Sequence, residues 1–272
     1  PGYAGFKARF AQRKNVVYAG ANDGMLHAFD GTAGNTSPAS GSELFAYIPS
    51  FVYGSDATAR TLGLASLGNP GFTHHYLVDA TPGQFDVDFN KTNGGSGTPD
   101  WRTLLIGGLG KGGKGYYALD VTDPTSWTDE AAVASKVLWE FTDSRMGYSY
   151  GTPTVAKTKK YGWVVVLTSG YTNADGRGYF FFVNPATGAL LETVATPAGA
   201  GSSSAPLNLG QATAYIESYT DMTADALYAG DLQGNVWRLD VSARDVTQPY
   251  PTPVKIASLT DRRVLIGGRS PI

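Results

Sequence analysis

Apolar and polar positions recur along this chain in one arrangement: a short β-rich run, a glycine-containing break, a second β-rich run and an acidic or amide residue. The clearest copy lies at residues 225–240, and similar copies lie at residues 16–30, 104–120 and 164–184. Short runs rich in Val, Tyr, Phe and Leu, separated by Gly, Asn and Asp, are typical of β-hairpins. The sequence therefore predicts an all-β protein that repeats one hairpin module.

A further β-rich run follows three of the modules, at residues 44–47, 137–141 and 190–194. Similar Thr- and Gly-containing turns at residues 30–34 and 184–188 lead into two of these runs. This alternation of strand and turn resembles the quinoprotein-type β-propeller repeat. A four-stranded sheet cannot bury both of its faces alone, so such sheets stack around an axis. We therefore predict a quinoprotein-like β-propeller.

The spacing of the modules divides a single domain, residues 1–272, into blades. The predicted segments are residues 15–50, 74–143, 148–196 and 205–242, with the start of a further blade at residues 254–272. Residues 74–79 are predicted to form a strand of the second segment. Because a four-stranded blade needs roughly 40–50 residues, we expect about four to five blades, as a fragment of a larger ring.

Composition narrows the classes of function. The chain has 272 residues, with 35 Gly, 16 Tyr and 12 Phe, which suits many short strands and tight turns. The net charge of −2 gives no electrostatic footprint for nucleic acid. No apolar run is long enough to predict a transmembrane segment. Cysteine is absent, which excludes disulfides and thiolate metal sites in this sequence.

A glycine-rich segment at residues 108–115 approaches the pattern of a phosphate-binding loop. That mechanism requires Ser or Thr after the lysine, to hold magnesium, and a helix whose N-terminus faces the phosphates. Here Gly115 follows Lys114, and a β-rich run follows instead of a helix. We predict a glycine-rich hairpin loop without nucleotide chemistry.

The three histidines, His27, His74 and His75, offer little catalytic chemistry. Neighbouring residues of a strand point to opposite faces, so His74 and His75 are not expected to share one metal ion. His27 lies inside a β-rich run, and we interpret it as a structural residue. The sequence leaves a Ser-His-Asp triad open, but no GxSxG elbow supports one.

An acidic segment directly before the 225–240 module has the spacing of a calcium loop. Calcium loops supply oxygen ligands from alternate positions because the curling backbone points them at one centre. Here positions one, three, five and nine are Glu217, Tyr219, Asp221 and Asp225. Tyr219 is a poor substitute for Asp or Asn. The residues alone leave three interpretations open: a calcium site, a turn capped by Asp225, and a solvated loop.

Five segments carry a family resemblance: residues 22–30, 107–115, 118–124, 138–141 and 228–240. They lie in order and with similar spacing within a match that runs from about residue 15 to residue 240. Together they resemble the C-terminal propeller of the PilY/PilC family of type IV pilus biogenesis factors and tip adhesins.

The resemblance implies a modified, seven-bladed propeller with a calcium loop of the DxDxDxxxD type. Carried over residue by residue, Asp221 and Asp225 match the fifth and ninth positions, and Glu217 is a usable change at the first. Tyr219 departs from the pattern at the third position. The expected cofactor is therefore calcium, with Glu217, Asp221 and Asp225 as its ligands.

The resemblance also implies a function. We expect a non-enzymatic module of pilus assembly and tip adhesion, in which calcium supports pilus extension against retraction, twitching motility and surface attachment. The expected partners are minor pilins, the pilus tip and a host or abiotic surface. The expected location is extracellular, at the pilus tip or associated with the outer membrane. Two alternatives stay open: a quinoprotein-type dehydrogenase, which the repeat alone suggests, and an ion-free scaffold propeller.

Overall fold

The structure is a computed structural model that describes residues 2–34, 39–54 and 63–259. Within these residues, fifteen strands form four antiparallel sheets in which neighbouring strands follow one another along the chain. The first sheet contains three strands, β1 (Val16–Gly20), β2 (Leu26–Asp30) and β3 (Glu43–Tyr47). The second sheet contains β4 (Gly83–Asp88), β5 (Trp101–Gly108), β6 (Tyr116–Asp120) and β7 (Val137–Phe141).

The third and fourth sheets have the same four-stranded order. The third contains β8 (Thr154–Thr158), β9 (Gly162–Thr168), β10 (Tyr179–Val183) and β11 (Leu190–Ala195). The fourth contains β12 (Leu209–Tyr215), β13 (Ala226–Asp231), β14 (Asn235–Asp240) and β15 (Val254–Ser258).

The helices of the described residues are short; one precedes β1, and the others lie between strands. The α-helices are α1 (Tyr3–Arg9) and α2 (Glu130–Ala134). The 3-10 helices are Ser50–Val52, Gly63–Gly68, Phe89–Lys91, Gly110–Gly112 and Pro124–Ser126. Among the described residues, no helix is long and apolar enough to cross a bilayer.

The sheets stack face to face, and the central strands show why. All five side chains of β10 are buried. Successive side chains of a strand point to opposite faces, and Phe181 accordingly packs with residues of the second sheet, including Tyr116 and Trp139. Phe180 and Phe182 pack with residues of the fourth sheet. A sheet that buries both of its faces against two neighbouring sheets is the blade of a β-propeller. The predicted all-β propeller architecture is confirmed.

The hairpin at residues 225–240 forms as predicted. β13 and β14 pair in register from Ala226 opposite Asp240 to Gly230 opposite Val236. The carboxylate of Asp231 organises the turn, because it accepts hydrogen bonds from the backbone N–H groups of Gln233 and Asn235 and from further donors in β14.

Residues 74–79 do not form the predicted strand. Their backbone donors are satisfied by two different loops rather than by one neighbouring strand. Leu77 N–H donates to the side chain of Asn22, and Val78 N–H donates to Ala21 O, whereas Asp79 N–H donates to Leu109 O. The first strand of the second sheet is instead β4.

The prediction that a further blade starts at residues 254–272 is wrong for the part of this segment that the structure describes. β15 pairs with β14, from Asn235 opposite Ser258 to Arg238 opposite Val254, and completes the fourth sheet. A strand that closes one blade and a strand that opens the next have the same local pattern, and only the pairing distinguishes them. Residues 260–272 lie outside the described residues.

Candidate functional site

The connection between β12 and β13, residues 216–225, contains the predicted calcium loop, residues 217–225, and lies beside the third sheet. Asp225 closes it. Its Oδ2 atom accepts a hydrogen bond of 2.9 Å from the backbone N–H of Glu217, at the other end of the loop. Its Oδ1 atom accepts a bond of 3.0 Å from Nζ of Lys159, in the turn between β8 and β9. Both carboxylate oxygens of Asp225 are therefore occupied by donors of the protein.

Asp221 is turned toward its own backbone. Its Oδ1 atom accepts from the N–H of Thr223 at 3.0 Å and from the Thr223 hydroxyl at 2.8 Å. Its carbonyl oxygen accepts from Nζ of Lys157, at 3.0 Å. Lys157 and the loop also share main-chain bonds, since Ala224 N–H donates to Lys157 O at 2.7 Å.

The three predicted ligands do not converge. Glu217 takes part through its backbone N–H, and its side chain is exposed. Tyr219 is 76% exposed, and Met222 has a φ of 57°, in the left-handed region that few non-glycine residues adopt. Across the described ranges, no group of three or more His, Asp or Glu side chains is arranged to hold a metal ion. The donor set does not fit a calcium site, and calcium binding stays a prediction.

The charges of the loop agree with these contacts. The hydrogen bond from the Glu217 amide and the neighbouring Lys159 ammonium lower the pKa of Asp225. The backbone and hydroxyl of Thr223 likewise lower the pKa of Asp221. Each carboxylate is stabilised in its ionised form by protein groups that are already in place.

The cleft between the loop and the third sheet is strongly basic. It has a volume of about 380 Å³, and its lining contains Lys91, Lys157, Lys159 and Arg244 against the single carboxylate of Asp221. This arrangement repels a free cation.

The glycine-rich segment, residues 108–115, forms the predicted loop between β5 and β6. Two of its glycines, Gly110 and Gly112, are required by close packing against residues 77–80. A Cβ atom on Gly112 would lie 1.8 Å from Leu77 O, and one on Gly110, whose φ is 58°, would lie 3.2 Å from the backbone of Asp79. The hairpin interpretation explains these glycines without a phosphate.

His27 bridges two carboxylates on the surface of the first sheet. Its Nε2 atom lies 2.9 Å from Asp23 Oδ2, and its Nδ1 atom lies 2.5 Å from Glu43 Oε1. The hydrogen bond with Glu43, assisted by Asp23, raises the pKa of His27. The contacts tie β2 to β3 and to the β1–β2 turn, which agrees with a structural histidine.

A second surface feature was not predicted. Tyr148, Tyr150 and Tyr171 line a cleft of about 580 Å³ together with residues 74–76 and Lys111. The rings of Tyr150 and Tyr171 stack at 4.8 Å, and Tyr150 is 40% exposed. We call this feature the tyrosine cleft. The sequence signal for it is the dense tyrosine of residues 148–150, but nothing in the sequence joins that segment to Tyr76.

Lys157 at the end of β8 and Lys159 in the β8–β9 turn were also not predicted as site residues. Lys157 and Lys159 lie more than sixty positions before their partners Asp221 and Asp225. The Lys-Thr-Lys-Lys run at residues 157–160 is visible in the sequence, but its contacts depend on how the third and fourth sheets stack.

Comparison with known proteins decides the family. The family model described as the PilY1 β-propeller domain matches residues 1–272. This chain belongs to the PilY1 β-propeller family. The predicted resemblance to pilus biogenesis factors is therefore confirmed.

Individual PilY1 proteins support the assignment. The chain is 37% identical over 252 residues to the type IV pilus biogenesis factor PilY1 of Pseudomonas aeruginosa strain PAO1. This alignment covers 92% of this chain and 19% of that protein. The chain is 35% identical over 237 residues to a PilY1 homolog of Xylella fastidiosa strain Temecula1, covering 84% of this chain and 14% of that protein. The chain thus spans less than a fifth of the length of these relatives.

A solved structure shares the fold. The crystal structure of the Pseudomonas aeruginosa PilY1 C-terminal domain matches with a TM-score of 0.63 and 35% identity, over 88% of this chain and 41% of that chain. This chain therefore has the architecture of the PilY1 propeller, and the four sheets described above are blades of it.

Proposed function

We propose that this chain is a non-enzymatic binding module of the type IV pilus assembly apparatus. It acts outside the cell, at the pilus tip or near the outer membrane, and contacts minor pilins. Through these contacts it supports pilus extension against retraction, twitching motility and attachment to host or abiotic surfaces. The proposal is supported by the names of the PilY1 relatives, which are type IV pilus biogenesis factors.

The observation that carries the proposal is the tyrosine cleft. Tyrosine is enriched at protein interfaces because its ring supplies a large apolar contact and its hydroxyl a hydrogen bond. Here Tyr150 and Tyr171 present stacked rings, while Nζ of Lys111 lies 4.5 Å from the ring centre of Tyr76. Aromatic rings flanked by cations suit a protein partner with carboxylates at the rim of its contact surface.

The test replaces Tyr150 with Ser in the gene of the bacterium that carries this chain. We expect less surface pilus after shearing, a smaller twitching zone and weaker co-purification with minor pilins. The matched control is Tyr219→Ser, which removes a more exposed tyrosine far from the cleft in sequence. Unchanged piliation and unchanged co-purification of the Tyr150→Ser protein, at wild-type protein level, would reject the cleft as the contact surface.

The dehydrogenase alternative is supported by the propeller repeat alone, and fold does not determine function. It is tested by adding pyrroloquinoline quinone with calcium to the protein. A protein-dependent change in the absorption spectrum of the quinone would favour the enzyme, whereas a spectrum equal to that of the free quinone favours the binding module.

A further inference from the structure

The loop that was predicted to bind calcium is in contact with two ammonium groups from the neighbouring sheet. Nζ of Lys159 lies 3.0 Å from Asp225 Oδ1, and Nζ of Lys157 lies 3.0 Å from Asp221 O. A carboxylate oxygen and a backbone carbonyl oxygen are both typical calcium ligands. Here each of them accepts a hydrogen bond from a lysine.

The loop is also tied to the third sheet through its backbone. Thr223 forms a parallel bridge with Lys157, and Ala224 N–H donates to Lys157 O. Asp225 N–H donates to Tyr215 O, which fixes the entry into β13. The lysines therefore extend from a backbone that is itself bonded to the loop, so their ammonium groups are held close to their acceptors.

The positive charges of Lys157 and Lys159 oppose the binding of a metal cation to this loop. Two ammonium groups together carry the charge of one divalent cation, and they contact two of the three predicted ligands, Asp221 and Asp225. An ion bound to Oδ1 of Asp225 at the usual calcium–oxygen distance would lie within about 6 Å of the Lys159 ammonium. The repulsion between the two would oppose binding, and the other cations of the basic cleft add to it.

We propose that Lys157 and Lys159 take the place of a divalent cation in this loop, so that residues 216–225 are held against the third sheet without metal. This loop is then a variant of the predicted calcium loop that keeps its position without calcium. The inference stands on the contacts of the loop and does not depend on the pilus function proposed above.

Hydrogen–deuterium exchange of peptides that cover residues 216–225 tests the proposal on the whole chain. For the wild type we expect equal exchange in EDTA and in calcium at about 10 mM, above the dissociation constants of extracellular calcium modules. Lys159→Met keeps the length of the side chain and removes its charge. We expect it to speed exchange of the loop by about threefold, as the loss of a partly exposed ion pair predicts.

Two variants control for unrelated effects. Lys159→Arg keeps the charge and should retain slow exchange. Lys255→Met removes an exposed lysine of β15 and should leave the loop unchanged. Near-ultraviolet circular dichroism shows whether each variant is folded, and Lys157→Met provides a second way to weaken the contact.

Two results would overturn the proposal. One is slower exchange of the wild-type loop in calcium, or a calorimetric binding isotherm for calcium that magnesium does not reproduce. The other is loop exchange that neither Lys157→Met nor Lys159→Met changes in folded protein.

Discussion

Lys159 and Lys160 are consecutive residues of the β8–β9 turn, and both reach from the third sheet to the fourth. Lys159 lies at the surface, where its side chain is 22% exposed and pairs with Asp225. The side chain of Lys160 is 1% exposed and pairs with Glu192, which is 10% exposed. One turn thus holds a surface ion pair with the loop before β13 and a buried ion pair within the third sheet, whose lysine also bonds Gln248 O before β15.

The buried pair is surrounded by further partners. Nζ of Lys160 donates to Glu192 Oε2 at 2.7 Å and to Gln248 O, in the segment before β15, at 2.6 Å. The rings of Tyr161 and Tyr250 lie 4.9 and 4.5 Å from the same ammonium. Glu192 also accepts from the Tyr161 hydroxyl and from the backbone N–H of Tyr250.

The difference between the two lysines is a difference in solvation. A buried ion pair loses the hydration of both charges, so removing one partner strands the other at high cost. An exposed pair is screened by water and contributes little to global stability. It still influences local opening when it closes a loop with few packed side chains. We therefore expect Lys160 to govern unfolding of the propeller and Lys159 to govern opening of the loop.

The largest effect is expected for Lys160→Met, which leaves the Glu192 carboxylate buried without its counter-ion. The free energy of unfolding in urea should fall by about 3–5 kcal/mol. Adding Glu192→Gln to this variant removes the stranded charge and should recover part of the loss. A loss below about 1 kcal/mol for Lys160→Met is in the range of exposed pairs. It would show that the Lys160 pair contributes no more to the free energy of unfolding than an exposed ion pair does.

The next effect concerns alkaline pH. Burial raises the pKa of Tyr161 and of Tyr250 well above the ordinary value of tyrosine, and Glu192 raises both further. A raised folded-state pKa means that the stability it contributes is complete below the unfolded-state value and is lost as pH rises toward the folded-state pKa. Above pH of about 10, each buried tyrosine should lower the free energy of unfolding by up to about 1.4 kcal/mol per pH unit.

Tyr250→Phe separates this effect from general alkaline damage, because it keeps the ring beside Lys160 and removes the ionisable hydroxyl. Urea unfolding measured at increasing pH should give a shallower decline for this variant than for the wild type. Parallel declines in the two proteins would mean that the Tyr250 hydroxyl does not ionise on unfolding in this range.

A smaller effect is expected for Lys159→Met. Its global free energy of unfolding should change by no more than about 1 kcal/mol, as for other exposed ion pairs. The same urea experiment that tests Lys160→Met measures it under matched conditions, with the same type of substitution one residue away. A loss comparable to that of Lys160→Met would reject the division of roles between the two lysines.

The hairpins and the lysine contacts differ in how far they could be predicted from the sequence. The hairpins follow from local patterns, because alternating burial and turn residues are encoded within about fifteen positions, as in the segment that ends at Asp240. The contacts of Lys159 and Lys160 with the fourth sheet and its loops could not be predicted in this way. Lys159 meets Asp225, and Lys160 meets Gln248, only after the third and fourth sheets have stacked.

The predicted ligand set shows the same limit at a single site. The spacing of Glu217, Asp221 and Asp225 is that of a calcium loop, and spacing along a chain constrains only how the loop itself curls. Which cation faces the loop depends on the β8–β9 turn, and that turn presents lysine. Strand pairing sets the same limit at β15, whose place in the fourth sheet depends on its bonds to β14.

The smallest effect, and the most local, is the titration of Asp225. The Glu217 amide and the Lys159 ammonium lower its pKa in the folded protein below the ordinary value of 3.8. A lowered folded-state pKa contributes stability that is present above the unfolded-state value and lost as pH falls through the folded-state pKa. The backbone amide of Glu217, which donates to Asp225, should therefore shift in ¹H–¹⁵N spectra as pH falls, with a midpoint at a pH below 3.8.

In Lys159→Met, the midpoint of this titration should move upward toward the ordinary value, because one of the groups that favour the ionised carboxylate of Asp225 is gone. Identical midpoints in the two proteins would mean that the Lys159 ammonium does not hold the Asp225 carboxylate in solution. Lys159 would then have no role in holding the loop, whereas the role of Lys160 in the buried ion pair would be unaffected.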